Sequence, residues 1–204
     1  MNNHGSFGIC GLCEIRKGKS AMAAHLKQCL PSAGNGSPRI PLLLLRVQSG
    51  YAPTYWMYVA AGSDAKLKQL DDLLRRIWLE CCGHMSEFCT TGRQKISMGH
   101  RMGEVFYRCG VGIQHVYDFG TSTELGVYFA GLTEGTTMKP VVAARNEPPI
   151  WPCNECGEAA SNICVECDEG GFCCVRHAKD HDCGEEMLLP VVNSPRMGVC
   201  GYTG

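Results

Sequence analysis

No apolar run in the 204 residues is long enough to cross a membrane. The longest sits near residues 41–45, where a spanning helix needs roughly 20 residues. The opening MNNHGSFGIC lacks the apolar centre of a secretory signal. Charge of one sign is lacking as well: the formal net charge is −1, so no global field favours nucleic acid or an anionic membrane. No segment sets an activated Ser among clustered Arg, which excludes the phosphate-handling centre of a serine recombinase. No internal repeat is visible.

What the chain does have is cysteine, 15 in all. In an exported protein these would pair as disulfides. Without an export signal the expected compartment is the reducing cytoplasm, and there clustered cysteines are thiolate ligands. The densest stretch is CNECGEAASNICVECDEGGFCCVRHAKDHDC, residues 153–183. Cys153 and Cys156 form one metal knuckle, with Gly157 easing its turn, and Cys164 and Cys167 form a second. Cys174 with His177, and His181 with Cys183, supply two more pairs. Interleaving is expected: Cys153, Cys156, Cys174 and His177 on one zinc, and Cys164, Cys167, His181 and Cys183 on the other. This cross-brace closes longer loops than sequential pairing. Cys200 is the alternative to Cys183. The spacing resembles B-box, MYND and HIT zinc fingers.

A further quartet opens the chain. Cys10 and Cys13 form a knuckle, and His25 and Cys29 lie four apart on one face of a helix expected to start at Ser20 and stop at Pro31. This is the layout of a CCHC-type finger. About three zinc ions per chain are therefore expected, each closed by four protein ligands and so structural.

The domain reading is a finger at 1–30, a Pro/Gly/Ser linker at 31–39, an α+β domain at 40–148 and a two-zinc module with its tail at 149–204. In the middle domain, residues 40–47 and 55–61 read as a hairpin. A long helix capped by Ser63 is expected to run to about Cys82, with Leu67, Leu70, Leu74, Ile77, Trp78 and Cys81 on its apolar stripe. Residues 84–101 read as a loop. Strands are expected at 104–108, 112–118, 124–130 and 140–145, giving a small antiparallel sheet packed on one long helix.

Three stretches carry a resemblance: LDDLLRRIWLECCGHMSEF at 70–88, HVYDFGTSTEL at 115–125, and the tail CGEEMLLPVVNSPR at 183–196 followed by GVCGY at 198–202. They resemble the plasmid pRiA4b ORF-3-like family, also described as the passenger resolvase-like protein of an insertion element. The resemblance implies an α+β fold and a link to mobile elements. Similar sequences have Cys-x-x-Cys where this chain has Cys174-x2-His177, a change that keeps a ligand and favours Cys174 over Cys173.

Two functional classes follow. The first is a non-enzymatic, zinc-stabilised interaction protein with a protein partner. Nucleic acid is the lesser alternative, through Arg16, Lys17, Lys19 and Lys27 around the finger helix. The second class is an enzyme with Cys81 or Cys82 as nucleophile, His84 or His115 as base, and Glu87 or Asp118 as orienting acid. Blander roles compete: Cys81 packs on an apolar stripe, His84 meets a helix end and Asp118 bonds a turn.

Overall fold

In the computed structural model, which describes residues 6–33, 38–110, 112–167 and 170–204, residues 42–45 are all buried. Successive strand residues face opposite sides, so both faces of this sheet must be covered. The strand concerned, β3 (Ile40–Ser49), forms the expected hairpin with β4 (Trp56–Gly62), with Leu45 opposite Val59. All seven residues of β4 are buried.

The remaining elements explain the double cover. In chain order they are β1 (Phe7–Cys10), β2 (Arg16–Gly18) and α1 (Lys19–Ser32), then the hairpin, then α2 (Leu67–Leu74) continued by a π-helical turn, Arg75–Leu79. There follow β5 (Ser86–Cys89), β6 (Lys95–Ile96), α3 (Met102–Cys109), β7 (Gly112–Tyr117), β8 (Thr123–Gly135) and β9 (Val141–Asn146). The C-terminal region holds β10 (Asn162–Cys164), β11 (Gly171–Cys173), α4 (Val175–Ala178), a 3-10 turn at Glu185–Met187 and β12 (Leu188–Pro190). The main sheet is antiparallel, in the order β2-β1-β9-β4-β3-β8-β7-β5-β6, and a small second sheet has the order β11-β10-β12.

One face carries Leu43, Leu45, Val47, Met57 and Val59 against Leu67, Leu70, Leu74 and Trp78, with Met102, Val105 and Phe106 of α3 completing that core. The opposite face carries Leu42, Leu44, Trp56, Tyr58 and Ala60 against Met22, Leu26 and Leu30 of α1. The architecture is mixed α/β, dominated by a nine-stranded sheet larger than the small one expected.

Several elements differ from the sequence reading. The knuckle at the N-terminus does not stand apart from the sheet: Ile9 pairs with Arg145, and Gly8 packs so tightly on Trp56 that no Cβ fits there. A short segment with few apolar residues finds its core by borrowing the sheet's. Its helix begins after Gly18 rather than at Ser20, because β2 feeds straight into it, and it runs one residue past Pro31. The linker at 31–39 is described only outside residues 34–37.

The long helix is shorter than expected. It starts at Leu67, where the Gln69 side chain accepts from the Lys66 amide at 2.9 Å; Ser63 instead accepts from the Gly103 amide through its carbonyl. It then widens, with the Glu80 amide bonding the Arg75 carbonyl at 2.9 Å, and ends before Cys81. Residues 104–108, expected as a strand, lie in α3. Met102, Val105 and Phe106 are buried at helical spacing, a period that a short apolar run conceals. The expected loop at 84–101 contains β5 and β6, whose pairing with the rest of the sheet no local signal announces.

The C-terminal tail also returns to the main sheet. The Trp78 indole donates to the Asn193 carbonyl at 3.1 Å, and Ser194 Oγ donates to the Trp78 carbonyl at 2.6 Å. Arg196 is fully buried, donating to Asp118 Oδ2 at 2.7 Å and to Thr123 Oγ1 at 3.0 Å, with its guanidinium 4.8 Å from the Tyr117 ring centre. The tail is thus as much part of the central body as of the cysteine-rich module that precedes it.

Candidate metal centres

A tetrahedral zinc site has Zn–S near 2.3 Å and Zn–N near 2.0–2.1 Å, which puts ligand atoms about 3.8 Å apart for two sulfurs and about 3.5 Å for sulfur and nitrogen. Four groups of Cys and His gather their ligand atoms within 4.8 Å of one another. No pair of cysteines among the described residues forms a disulfide.

The first group is Cys10, Cys13, His25 and Cys29. Cys10 ends β1, and a tight turn follows in which the Glu14 amide bonds the Cys10 carbonyl at 2.9 Å, with Glu14 at φ 60°. That turn lifts Cys13 towards His25 Nε2, 3.2 Å away, while Cys10 and Cys29 lie 3.9 Å apart. Met22 and Leu26, buried on the sheet, fix the rotation of α1 and hence where His25 and Cys29 point.

The C-terminal module interleaves its pairs. Cys153, Cys156, Cys174 and His177 form one group, with Cys156 and Cys174 at 3.8 Å and His177 Nδ1 at 3.4 Å from Cys153 and 3.5 Å from Cys174. Cys164, Cys167, His181 and Cys183 form the other, with Cys167 at 3.7 Å from Cys183 and 3.4 Å from His181 Nε2. Cys183, rather than Cys200, completes this set. The short strands β10 and β11 hold the knuckles in register, Cys164 lying opposite Gly171, where a Cβ would strike the Cys167 and Cys164 side chains. Trp151 stacks on Phe172 with ring centres 4.8 Å apart, and also packs against the main core.

Cys173 lies outside both quartets. It is buried, and its sulfur is 3.5 Å from His181 Nδ1, the ring nitrogen turned away from the other ligands. It therefore sits where an outer partner orients a ligating imidazole.

The electrostatics of the thiols fit a cation. The Cys174 amide, against the opposing pull of burial, and the Cys156 and Glu155 amides bring the Cys153 thiol down to about 6. Burial works against ionising Cys164, yet the Glu166 amide and His181 bring it down to about 7. Its neighbour Cys167 is pushed up to about 12, chiefly by Cys164 and then by Cys183. Cys29 is likewise pushed up to about 12, by burial and then by Cys13 and Cys10. Thiols crowded this closely cannot all ionise without a positive ion between them. Soft thiolate with imidazole in fours is the donor set of zinc.

The fourth group was not visible as a metal site in the sequence: Cys81, Cys82, His84 and Cys200. Cys82 lies 3.0 Å from His84 Nε2 and 3.5 Å from Cys200, which is 3.3 Å from the same nitrogen. Cys81 is 3.6 Å from Cys82. The available signal was the run Cys-Cys-Gly-His, read instead as a nucleophile beside a base; nothing local announced that Cys200 would join it.

Of the other catalytic candidates, Asp118 approaches this group, whereas His115 and Glu87 have partners elsewhere. His115 is fully buried, its Nε2 2.8 Å from Asp71 Oδ1, and Ser86 Oγ donates to the same oxygen at 2.6 Å. Asp118 accepts from the Gly120 and Thr121 amides and from Arg196, as a turn residue does, although its Oδ2 also lies 3.6 Å from His84 Nε2. Glu87 pairs with Lys95 at 3.4 Å, on the opposite side of β5 from its buried neighbour Phe88.

No family model and no curated protein matches the chain. Among solved structures it is similar to a protein of unknown function from Methanosarcina mazei Go1. The two are 14% identical, with a TM-score of 0.45 over 52% of this chain and 68% of that one.

Proposed function

We propose that the chain is a non-enzymatic, zinc-stabilised interaction protein of the plasmid pRiA4b ORF-3-like family, whose zinc ions are structural. The observation that carries the reading is the closure of the three terminal quartets. Each offers four protein donors at tetrahedral spacing, which leaves no position for an activated water. Three thiolates, one imidazole and one Zn²⁺ per quartet would hold together segments with little core of their own.

The partner is read as a protein. Phe7, Ile9, Leu12 and Ile15 are all exposed along the N-terminal hairpin and its turn, an apolar surface on a zinc-held frame. The basic residues that would serve nucleic acid are partly engaged: Arg16 Nε donates to Glu147 at 2.7 Å and caps the Phe7 ring, and Lys19 donates to Gln48 Oε1 at 2.8 Å. Among the four basic residues around α1, that leaves too few unengaged cations for a strong phosphate-driven affinity near physiological salt.

Crosslinking in the native host, comparing the wild-type chain with a Leu12→Asp/Ile15→Asp variant of unchanged zinc content, tests this. A protein captured by the first and lost by the second is expected. If no capture differs between them, and the chain instead binds a duplex at ~10⁻⁸ M or tighter in ~150 mM salt, a range typical of sequence readers, the nucleic-acid reading replaces this one. Cys156→Ala should unfold the 150–183 module while the main sheet keeps its own melting transition, because the module's folding energy is largely metal-binding energy.

A further inference from the structure

We infer that Cys81, Cys82, His84 and Cys200 hold an additional structural zinc ion, which clasps the C-terminal tail onto the central body. The four ligand atoms come together from two stretches of chain, Cys82 and Cys200 being 118 residues apart in sequence. Their separations of 3.6, 3.5, 3.3 and 3.0 Å approach the edges of a zinc tetrahedron. A disulfide would instead need two sulfurs about 2.05 Å apart, and would leave the third thiol and the imidazole converging on the same point for no purpose.

The backbone is shaped to aim these groups. The helix ends at Leu79, so Cys81 and Cys82 are released into a turn. Gly83 follows at φ 79°, with the Glu80 carboxylate accepting from its amide at 2.6 Å, and this reversal brings Cys82 and His84 onto one point. No atom crowds the Gly83 position, so it is the left-handed backbone, and not space, that calls for glycine there. On the other side, Cys200 itself is left-handed, at φ 51°, between Gly198 at 77° and Gly201 at 66°. A non-glycine residue adopts that conformation only where its surroundings impose it.

The tail needs such an anchor. From Val191 onward it has no helix or strand, so no backbone ladder ties it down. Its attachments are the Val191 amide on the Ser161 carbonyl, the Asn193 and Ser194 bonds to Trp78, the bonds of Asn193 with Asn146 and Arg145, the buried Arg196, and the buried Tyr202 at its far end. Cys200 lies between Arg196 and Tyr202, where a metal bond would close the last open stretch. Four protein donors leave no open position, so the ion binds and does not catalyse.

The test is metal content of the full chain, measured by mass spectrometry against protein concentration after growth with zinc and removal of free metal. Cys200→Ser and Cys82→Ser should each carry about one zinc fewer than wild type, and Cys200→His should recover it. Amide exchange over residues 191–202 should rise in Cys200→Ser and return to the wild-type rate in Cys200→His. Wild-type zinc content in Cys82→Ser overturns the assignment, whatever the Cys200 variants do. So does a Cys82–Cys200 disulfide mapped in protein isolated from a reducing cytosol.

Discussion

Two adjacent cysteines with different duties show what single positions do here. Cys174 faces Cys156 and His177, whereas Cys173 faces the outer nitrogen of His181. Cys174→Ser should therefore cost one zinc per chain, read by metal analysis. Cys173→Ser should keep the metal, since a hydroxyl can still meet His181 Nδ1. Equal zinc loss in both variants would remove the distinction.

The buried Asp71–His115 pair belongs to the same scale. Burial alone would raise the Asp71 carboxyl, but hydrogen bonds from His115, Ser86 and Lys68 outweigh it and hold the group well below the ordinary carboxylate range. Burial holds His115 below its ordinary value, against the pull of Asp71. His115 then donates from Nε2, and its buried Nδ1, which has no partner among the described residues, stays unprotonated. Both folded values lie below the unfolded ones, so the unfolded chain takes up protons first as pH falls. The stability from His115 is present above about pH 6.5 and is lost below it, and that from Asp71 is lost only below about pH 4. With zinc in excess, the midpoint of wild type should fall more steeply from pH 7 to 5 than that of His115→Asn. Parallel curves would mean that His115 does not titrate on unfolding.

Among the elements, α1 has the widest reach. Met22, Leu26 and Leu30 cover one face of the sheet while His25 and Cys29, on the same helix, face the first knuckle. Leu26→Ala should cost about 2–5 kcal/mol in denaturant unfolding, as expected for a truncated buried leucine. It should also speed zinc loss from this quartet to a chelator, because the helix that carries two of its ligands would be loosened. A separate finger would show the second effect without the first, and the two measurements together discriminate. By contrast the apolar stripe of α2 does no more than its spacing suggested, and the wider turn after it decides where Cys81 and Cys82 emerge.

Taken whole, the described segments before β3 and after β12 both pack onto one sheet. The N-terminal hairpin extends its edge beyond β9, and the tail returns to Trp78, Asp118 and Asn146. A chain ending at Pro190 would leave the Trp78 indole and carbonyl without their tail partners. Each such buried loss costs about 1–3 kcal/mol, so the main transition should drop by about 4 °C or more by calorimetry. An unchanged midpoint would show that the tail is carried passively. Among the described residues no helix is long and apolar enough to cross a membrane.

The sequence by itself determined the local chemistry. Knuckle spacing, the four-residue step between His25 and Cys29, and the helical and alternating periods are properties of neighbours along the chain, and they marked the three terminal quartets, the β3–β4 hairpin and the stripe of α2. Only the tertiary structure decided the rest. The pairing of β1 with β9, the burial of residues 42–45 from both sides, and the meeting of Cys82 with Cys200 depend on contacts between distant segments. Such contacts leave no periodic trace, because sheet neighbours and metal ligands are selected by where folding places them in space and not by their separation in sequence. Cys200 reads from sequence as a spare ligand for another site and the Cys-Cys-Gly-His turn as a nucleophile beside a base, until folding brings their ligand atoms within 4.8 Å of one another.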